Sequence, residues 1–417
     1  MDMNDTLHVP PTRAAVLARI EAVRPAEYAR TRNAIEGAVT QLSPYITHGL
    51  ITLPEVLAGV ATRHRLSVSH KFVFELGWRE YFRHVWRQRG GDIFHSLHAG
   101  PLPESAYAAV LPADIREART GVPAIDQAVR TLYTAGTLHN HARMWLASFV
   151  VHVRKVHWRA GADWLYAHLL DGDLASNHLS WQWVAGTGSH KPYVFNAENV
   201  AKYAPVAWHS PGSAIDQSYE AMQALASRPG TNAVWERPGG MGTTEPPLTA
   251  APDARFARAP DPALVAGRDV WLVHPWALGE PPDDLPADCL RLGWWPLDFH
   301  AEWPWSEARW AFVGQRMAHL TASRWACASS QLADALAGAQ SVHTPFDPHV
   351  DALLPRCVTQ RPATPLFAPV EQPCGSFSQW WARTARPVTH LHQLPGLAHL
   401  AQEGSAGPLF TEQAPTP

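Results

Sequence analysis

Apolar residues recur with helical spacing through the first half of the chain. Side chains at i, i+3 and i+4 fall on one face of a helix, and six segments follow this pattern. These segments are 13–23, 53–65, 70–89, 123–135, 139–156 and 162–170. Alternation typical of strands is nearly absent there. The pattern therefore predicts an all-helical domain over residues 11–226.

The pattern changes in the second half. Short apolar runs alternate with helical candidates, which predicts a small parallel, Rossmann-like α/β domain over residues 268–402. The predicted strands are 269–278, 290–300, 324–329 and 340–346, and the predicted helices are 306–320 and 331–337. Residues 227–267, rich in Pro, Gly and Ala, are predicted to be a linker, and 403–417 a disordered tail. The predicted class is α+β, multidomain.

Composition narrows the class of protein. The chain has 417 residues, 46% hydrophobic and 17% charged, which is typical of a globular protein with a substantial core. Its four cysteines have no CxxC spacing, so neither a zinc site nor a disulfide framework is predicted. No apolar run approaches membrane length, and we expect a soluble, cytoplasmic monomer. The net charge of −3 combines a basic first half with an acidic second half, which permits a local basic surface.

Two predicted helices carry polar sets on one face. In HNHARM, Asn140, Arg143 and Met144 share a face and could contact a polar heteroaromatic ligand. The alternative is an amphipathic helix with a surface arginine. A second helix contains ELGWREYF, in which Glu75 and Trp78 could hydrogen-bond and stack on a base. Core packing with a surface ion pair is the alternative there.

A Ser-Pro turn in TQLSPYITHGL (40–50) offers hydroxyl and N–H groups that could hold phosphate oxygens, although a plain helix N-cap explains them equally well. The acidic turn DGDLASNHLSWQW (171–183) places two carboxylates and a carboxamide beside two indoles.

These motifs follow one another in a recognisable order between residues 25 and 205. They are Tyr28-x3-Arg32, TQLSPY, ELGWREYF, TGVPAIDQAVRTLYTAGTLHNHARMWLASF, DWLYAHLLDGDLASNHLSWQW and FNAENVAKYAP. In this order they resemble the FAD-binding domain of the DNA photolyase/cryptochrome family. The resemblance implies FAD folded into a U inside the helical domain, with its flavin ring close to its adenine.

The resemblance also implies roles for individual residues. Matched to cofactor contacts are Tyr28, Arg32, Val39, Thr40, Leu42, Ser43, Arg79, Asn140, Arg143, Asp171, Asp173 and Asn177. Matched to contacts with a flipped-out pyrimidine dimer, and so to the catalytic set, are Glu75, Trp78, Asn140, Met144 and Trp183. Trp181 and Trp158 match the first two members of the electron-transfer tryptophan chain.

The chain departs from the family at four positions. PESAYA stands where the distal tryptophan of the electron relay is expected, so Tyr107 could substitute, or the relay could leave by another tryptophan. Thr137 replaces a tryptophan, His141 an arginine near the lesion, and Val39 a hydroxyl at the phosphate site. These changes affect photoreduction and DNA affinity more than FAD binding.

The order of domains departs further. The family normally begins with an α/β antenna domain, whereas here such a segment comes last. DVWLVHPWALG, LGWWPLDFH, WSEARWAFVGQRMAHL and LFAPVEQPCGSFSQWWAR resemble parts of that antenna domain. We interpret the segment as a shortened, permuted antenna domain. An unrelated small α/β module is the alternative, and binding of an antenna pigment stays open.

The leading hypothesis is a light-driven, FAD-dependent lyase that splits cyclobutane pyrimidine dimers in damaged DNA. A cryptochrome-like photoreceptor without repair activity is the alternative, and a flavoprotein indifferent to light is the third. No metal site is expected, because His139/His141 and His152/His157 have no matching acid or cysteine.

Overall fold

The computed structural model describes residues 9–230 and 242–398, so the predicted tail at 403–417 lies outside the described residues. Residues 9–230 form helices and no strand. The α-helices are α1 Arg13–Glu21, α2 Pro25–Thr31, α3 Ser43–Thr47, α4 Leu53–Ala61, α5 Lys71–Arg89, α6 Ala113–Arg116, α7 Pro123–Ala135, α8 Asn140–Ser148, α9 Trp158–His168, α10 Leu174–Ala185, α11 Ala197–Tyr203 and α12 Tyr219–Ala226. The predicted helical class is confirmed.

Side-chain caps determine where several helices begin. His70 accepts a hydrogen bond from the Phe72 amide, so α5 begins at Lys71. His157 likewise accepts from the Arg159 amide, and α9 therefore starts at Trp158, four residues before the predicted position. The predicted helix 139–156 is interrupted, because α8 ends at Ser148 and continues as one π-helical turn, Phe149–Val153.

The second described segment builds a five-stranded sheet. Its elements are β1 Leu248–Thr249, α13 Pro262–Val265, β2 Asp269–Val273, β3 Leu290–Pro296, α14 Leu297–Glu302, β4 Trp305–Ser306, α15 Glu307–Leu320, β5 Ser323–Cys327, α16 Ser329–Leu336, β6 Ser341–Pro345, β7 Val358–Arg361 and α17 Phe377–Thr384. The parallel sheet has the order β5-β3-β2-β6-β7. The order reverses between β2 and β6, as in doubly wound folds, and the predicted α/β class is confirmed.

Some sequence predictions in this segment were wrong or incomplete. The predicted strand 290–300 ends at Pro296, because residues Leu297–Glu302 turn into α14. β7 and α17 were not predicted, since neither has a long apolar run. Part of the predicted linker is ordered: β1 pairs with β4, and Phe256 is buried.

The helical and α/β regions share buried surface. One hydrophobic core extends from α1, α4 and α5 into the sheet and α15, and a second core fills the space among α7–α10. Glu80 of α5 accepts hydrogen bonds from the amides of Leu366 and Phe367, and burial raises the pKa of this carboxyl to about 7. His48 joins the two regions through the carbonyls of Leu170 and Pro275. The carboxyl end of β2 therefore faces the helical region.

Buried histidines at this boundary make its stability depend on pH. His300 is packed edge-on against Trp305, with its ring also close to Trp310, and burial lowers its pKa from 6.5 to about 3. The folded protein keeps His300 neutral while the unfolded chain takes up a proton, so its contribution is complete above pH 6.5 and is lost as the pH falls towards 3.

We expect the free energy of unfolding to drop by ~2 kcal/mol from this residue between pH 7.5 and 5. The His300→Phe variant keeps an aromatic ring and removes the titration, so its stability should change less over that interval. Urea unfolding at both pH values measures the difference. An unchanged pH dependence in His300→Phe would assign the effect to other groups.

Candidate functional site

The loop between α9 and α10 carries the acidic motif. Arg143 of α8 donates hydrogen bonds to both carboxylate oxygens of Asp171, at 2.9 and 2.8 Å, and a third to the carbonyl of Leu138. Only 7% of the Asp171 side chain is exposed, against 27% for Arg143. The third bond fixes the guanidinium, so the pair has one geometry. The two residues matched to flavin contacts are therefore in direct contact.

The second acid of the motif begins the next helix. Asp173 accepts a hydrogen bond from the Ser176 amide at 2.8 Å and so caps α10. Its other oxygen is 2.6 Å from Arg83. Burial would raise the pKa of Asp173, but the charges of Arg83, His349 and Arg79 outweigh burial and hold this pKa well below its usual range. Asp173 is therefore a carboxylate throughout the neutral range.

Arg79 lies close to both acids. It donates to the hydroxyl of Thr47 at 3.0 Å, and Thr47 in turn donates to the Asp171 carbonyl at 3.3 Å. Burial lowers the pKa of Arg79, although Asp173 and Asp171 oppose the shift. Arginines and acids thus alternate around the loop, an arrangement that suits a ligand with both polar edges and negative charge.

The α/β region contributes further charged residues here, which the sequence did not predict. Arg83 bridges Asp173 and Asp347, the latter at 3.2 Å, and Asp347 contacts His349 at 2.6 Å. Burial would raise the pKa of Asp347, but Arg83 and His349 bring it down to about 2. His349 also stacks on Trp276, with ring centroids 4.4 Å apart. The only available signal was the basic position in WREYFR, one helical turn after Arg79.

The residues matched to flavin chemistry and electron transfer are buried in the second core. The amide nitrogen of Asn177 donates to the Ala162 carbonyl at 2.8 Å, which orients its carboxamide. Trp181 packs directly against Gly161, where an added Cβ would lie 2.3 Å from the indole. Trp158 donates its indole N–H to Ser96 at 3.0 Å. Both indoles are 2% exposed, so water is excluded from them.

Tyr107, the candidate distal relay residue, does not contact Trp158 directly among the described ring contacts. The ring of His157 lies between them, 6.4 Å from Tyr107 and 5.6 Å from Trp158. Tyr107 is half-buried. Its role in the relay stays a prediction.

Near α2 and α5, residues matched to cofactor and lesion contacts form a group of ion pairs. Glu75 contacts Lys71 at 2.9 Å and Arg32 at 3.4 Å, and Tyr28 packs edge-on against Phe72. Burial, followed by the charge of Glu75, raises the pKa of Tyr28 well above its usual value. The charged side chains of this group are 24–34% exposed. This exposure is consistent with the alternative of a surface ion pair.

The segment 39–43 approaches α3 as a tight turn. Thr40 accepts a hydrogen bond from the Leu42 amide at 3.4 Å, and Ser43 begins the short helix α3. Gln41 between them has φ of +52°, the left-handed conformation. Val39 is 39% exposed and Leu42 is buried.

Residues matched to the lesion pocket are only partly brought together. Asn140 and Met144 contact each other, with the amide nitrogen 3.5 Å from the sulfur. Trp78 stacks on Phe377 of α17, centroids 4.1 Å apart and planes at 10°, while Trp183 is 42% exposed beside Tyr193. No ring contact joins Trp78 to Trp183 in the described part of the chain.

His141 of α8 carries a buried polar atom that has no partner in the part of the chain that the structure describes. His141 packs on Tyr203 with centroids 5.0 Å apart, and its buried Nδ1 has no hydrogen-bond partner in the described residues. An unsatisfied buried polar atom costs about 1–3 kcal/mol, so a bound ligand or water would stabilise it. The alternating charges around the loop fit a polar ligand such as FAD.

Comparison with known proteins agrees with this geometry. Residues 72–209 match the family model described as the FAD binding domain of DNA photolyase. The deoxyribodipyrimidine photo-lyase of Synechococcus sp. is 32% identical over 222 residues, 48% of this chain and 44% of that protein. The helical region is therefore similar to the FAD-binding domain of the DNA photolyase/cryptochrome family.

Proteins named as cryptochromes give similar matches. Cryptochrome DASH of Oryza sativa is 33% identical over 171 residues, 39% of this chain and 29% of that protein. A crystal structure of a Synechocystis sp. PCC6803 cryptochrome aligns with a TM-score of 0.41 and 29% identity over 46% of this chain and 42% of that one. The match spans less than half the length of each of these relatives.

In this chain the α/β region follows the helical region. Its origin as a permuted antenna domain stays a prediction. Over residues 9–230 and 242–398, no helix is long and apolar enough to cross a membrane, and no group of three or more His, Cys, Asp or Glu could hold a metal ion.

Proposed function

We propose that this protein binds FAD in its helical region and acts as a light-driven carbon–carbon lyase that splits cyclobutane pyrimidine dimers in DNA. The observation that supports the proposal best is the fixed Arg143–Asp171 pair, 2.8 Å apart, in a chain that matches the FAD-binding domain of photolyases. Other matched cofactor contacts lie on adjoining elements. Asp173 is in the same loop as Asp171, Asn177 is on α10 and Arg79 is on α5.

The chain's own residues would bind and enclose the cofactor. Arg143, Asp171 and Arg79 would supply hydrogen bonds to polar edges of the flavin, and the Asn177 carboxamide would face the ring. Bound FAD in its reduced form supplies the excited electron that splits the dimer. The buried indoles of Trp181 and Trp158 would exclude water and give electrons a path to the site.

Damaged DNA would be recognised by stacking and hydrogen bonding. A flipped dimer loses a few kcal/mol of stacking and pairing, least where the duplex is already damaged. Stacking on Trp78 and Trp183 offsets that cost by roughly 1–3 kcal/mol per base. Asn140 and Glu75 would donate and accept the hydrogen bonds that distinguish a dimer from other apolar ligands.

A blue-light photoreceptor is the second candidate, and one observation favours it. Glu75 is already paired with Lys71 and Arg32, and one face of Trp78 is covered by Phe377. The Glu75 carboxylate and one face of Trp78 are therefore already occupied by residues outside the matched lesion set. A photoreceptor has no need to release them.

The test uses protein purified in the dark. We expect bound FAD, stronger binding to a dimer-containing oligonucleotide than to its undamaged counterpart at one stated salt concentration, and loss of dimers under blue light after reduction. The Trp183→Ala variant should lose about tenfold to a hundredfold of the preference for damaged DNA, which is the value of one stacked base. Its side chain is 42% exposed, so the substitution should leave folding intact.

Phe346→Ala, which removes another exposed ring at 44% exposure in the α/β region, is the matched control and should bind damaged DNA as the wild type does. Equal affinity for damaged and undamaged DNA, together with no dimer loss under light, would reject repair and leave the photoreceptor. A protein that takes up no FAD would reject both.

A further inference from the structure

Arg309 is a fully buried arginine on α15 of the α/β region, and it reaches into the helical region. Its guanidinium donates hydrogen bonds to the carbonyls of Tyr166, at 2.8 Å, and Gly172, at 2.5 Å. It also lies over the ring of Trp305, 4.0 Å from the centroid. Among the described residues it has no carboxylate within ion-pair distance, so its charge is met mainly by carbonyl oxygens.

The two carbonyls that Arg309 binds lie at the end of α9 and in the acidic motif. Tyr166 lies in the last turn of α9, where carbonyl groups lack partners within the helix and a cation is favourable. The amide that would normally bond to the Tyr166 carbonyl, that of Leu170, donates instead to Gly136. Gly172 stands between Asp171 and Asp173. Arg309 therefore completes the end of α9 and holds the middle of the acidic motif.

The close approach of the Arg309 guanidinium requires a glycine at position 172. A Cβ at Gly172 would lie 2.5 Å from a guanidinium nitrogen of Arg309 and 2.6 Å from the Tyr166 carbonyl. Any side chain there would displace the arginine or the loop. The α/β region therefore packs against the loop at Gly172 and leaves no room for a side chain.

We propose that Arg309 is a positioning residue of the flavin site, which holds the loop between α9 and α10 so that Asp171 and Asp173 are in place before the cofactor binds. The inference rests on the proposed flavin site, and it gives the α/β region a role that needs no antenna pigment. Preorganisation of this kind raises affinity because the loop has less freedom to lose on binding.

The first measurement is made on flavin-free protein. Hydrogen exchange is followed in peptides that cover residues 169–177 in the wild type and in Arg309→Met. Methionine keeps much of the length and apolar contact of the side chain, and a buried charge can often be replaced by an apolar residue without loss of the fold. Exchange in the loop should become about tenfold faster or more, because two hydrogen bonds to a charged donor are lost.

The second measurement is the dissociation constant of FAD in the dark, which should rise about tenfold or more in Arg309→Met. Arg309→Lys keeps the charge and one donor group, so it should recover part of both losses. Arg316→Met is the matched control: Arg316 is a buried arginine two turns further along α15, paired with Glu280 and the Leu278 carbonyl, and its loss should leave the loop and FAD affinity unchanged.

Wild-type loop exchange and FAD affinity in Arg309→Met would overturn the proposal, as would equal effects from Arg316→Met. If Arg309→Met does not fold, Gly172→Ala and Arg309→Lys decide, since Gly172→Ala should loosen the same loop by displacing the guanidinium. A wild type that takes up no FAD would count against the proposed function, while loop exchange in the flavin-free variants would still test the positioning role.

Discussion

The Arg143→Ala variant is expected to purify almost free of FAD. Arg143 is the only described side chain that forms an ion pair with Asp171, whose carboxylate is 7% exposed. Removing one partner of a buried pair leaves the other charge uncompensated, at a cost of about 3–5 kcal/mol. Because the pair also holds the loop that would contact the cofactor, we expect FAD affinity to drop by roughly a hundredfold or more. The flavin-to-protein absorbance ratio after purification in the dark measures it.

Asp171→Ala should lose FAD to a similar extent, because it removes the other half of the same pair. The control is Arg13→Ala, which breaks a half-exposed ion pair with Glu55 at 2.7 Å. Such pairs contribute about 0–1 kcal/mol, so this variant should keep its full flavin content. An Arg143→Ala protein that retains wild-type FAD affinity would exclude the pair from the cofactor site.

The Trp181→Phe variant should keep its FAD but lose most photoreduction by an external thiol. Trp181 is buried against Gly161, and phenylalanine fits within the space of the indole while being much harder to oxidise. In the proposed relay, electrons from the thiol then have no easily oxidised ring next to the flavin. The rate of flavin bleaching under blue light, at equal flavin content, is the measurement.

Trp208→Phe is the control for this experiment. Trp208 is a buried indole in the same core, 6.4 Å from Trp145, and it matches no relay position. Its substitution removes the same atoms and should leave photoreduction unchanged. Photoreduction of Trp181→Phe at the wild-type rate would mean that electrons enter by another route, with the Tyr107–His157 side of Trp158 as the next place to examine.

The helices were predictable because each has a local cause. Periodic apolar residues indicate them, and caps such as His70 and Asp173 lie beside them in the sequence. The strands β2, β3, β5 and β6 were predicted from apolar runs for the same reason. Short elements with mixed composition, such as β7, and the turn of Leu297–Glu302 into α14, were not. Neighbouring elements determine their conformation more than their own residues do.

The candidate site could likewise be predicted from the sequence only in part. The motifs around Arg143, Asp171 and Asn177 could be located from the sequence because they are contiguous and match a known family. The functions of the matched lesion residues stay predictions, since ring contacts alone do not bring Trp78 and Trp183 together.

The sequence by itself determined the helical and α/β classes, the order of the two regions and the acidic motif of the proposed flavin site. Only the tertiary structure decided that Arg83 joins Asp173 to Asp347, and that Arg309 holds Gly172. Arg309 and Gly172 are far apart in the chain, and no local pattern marks either as the partner of the other. Their contact exists because two regions bury their surfaces together, and burial makes an unpaired carbonyl or guanidinium costly enough to select one arrangement.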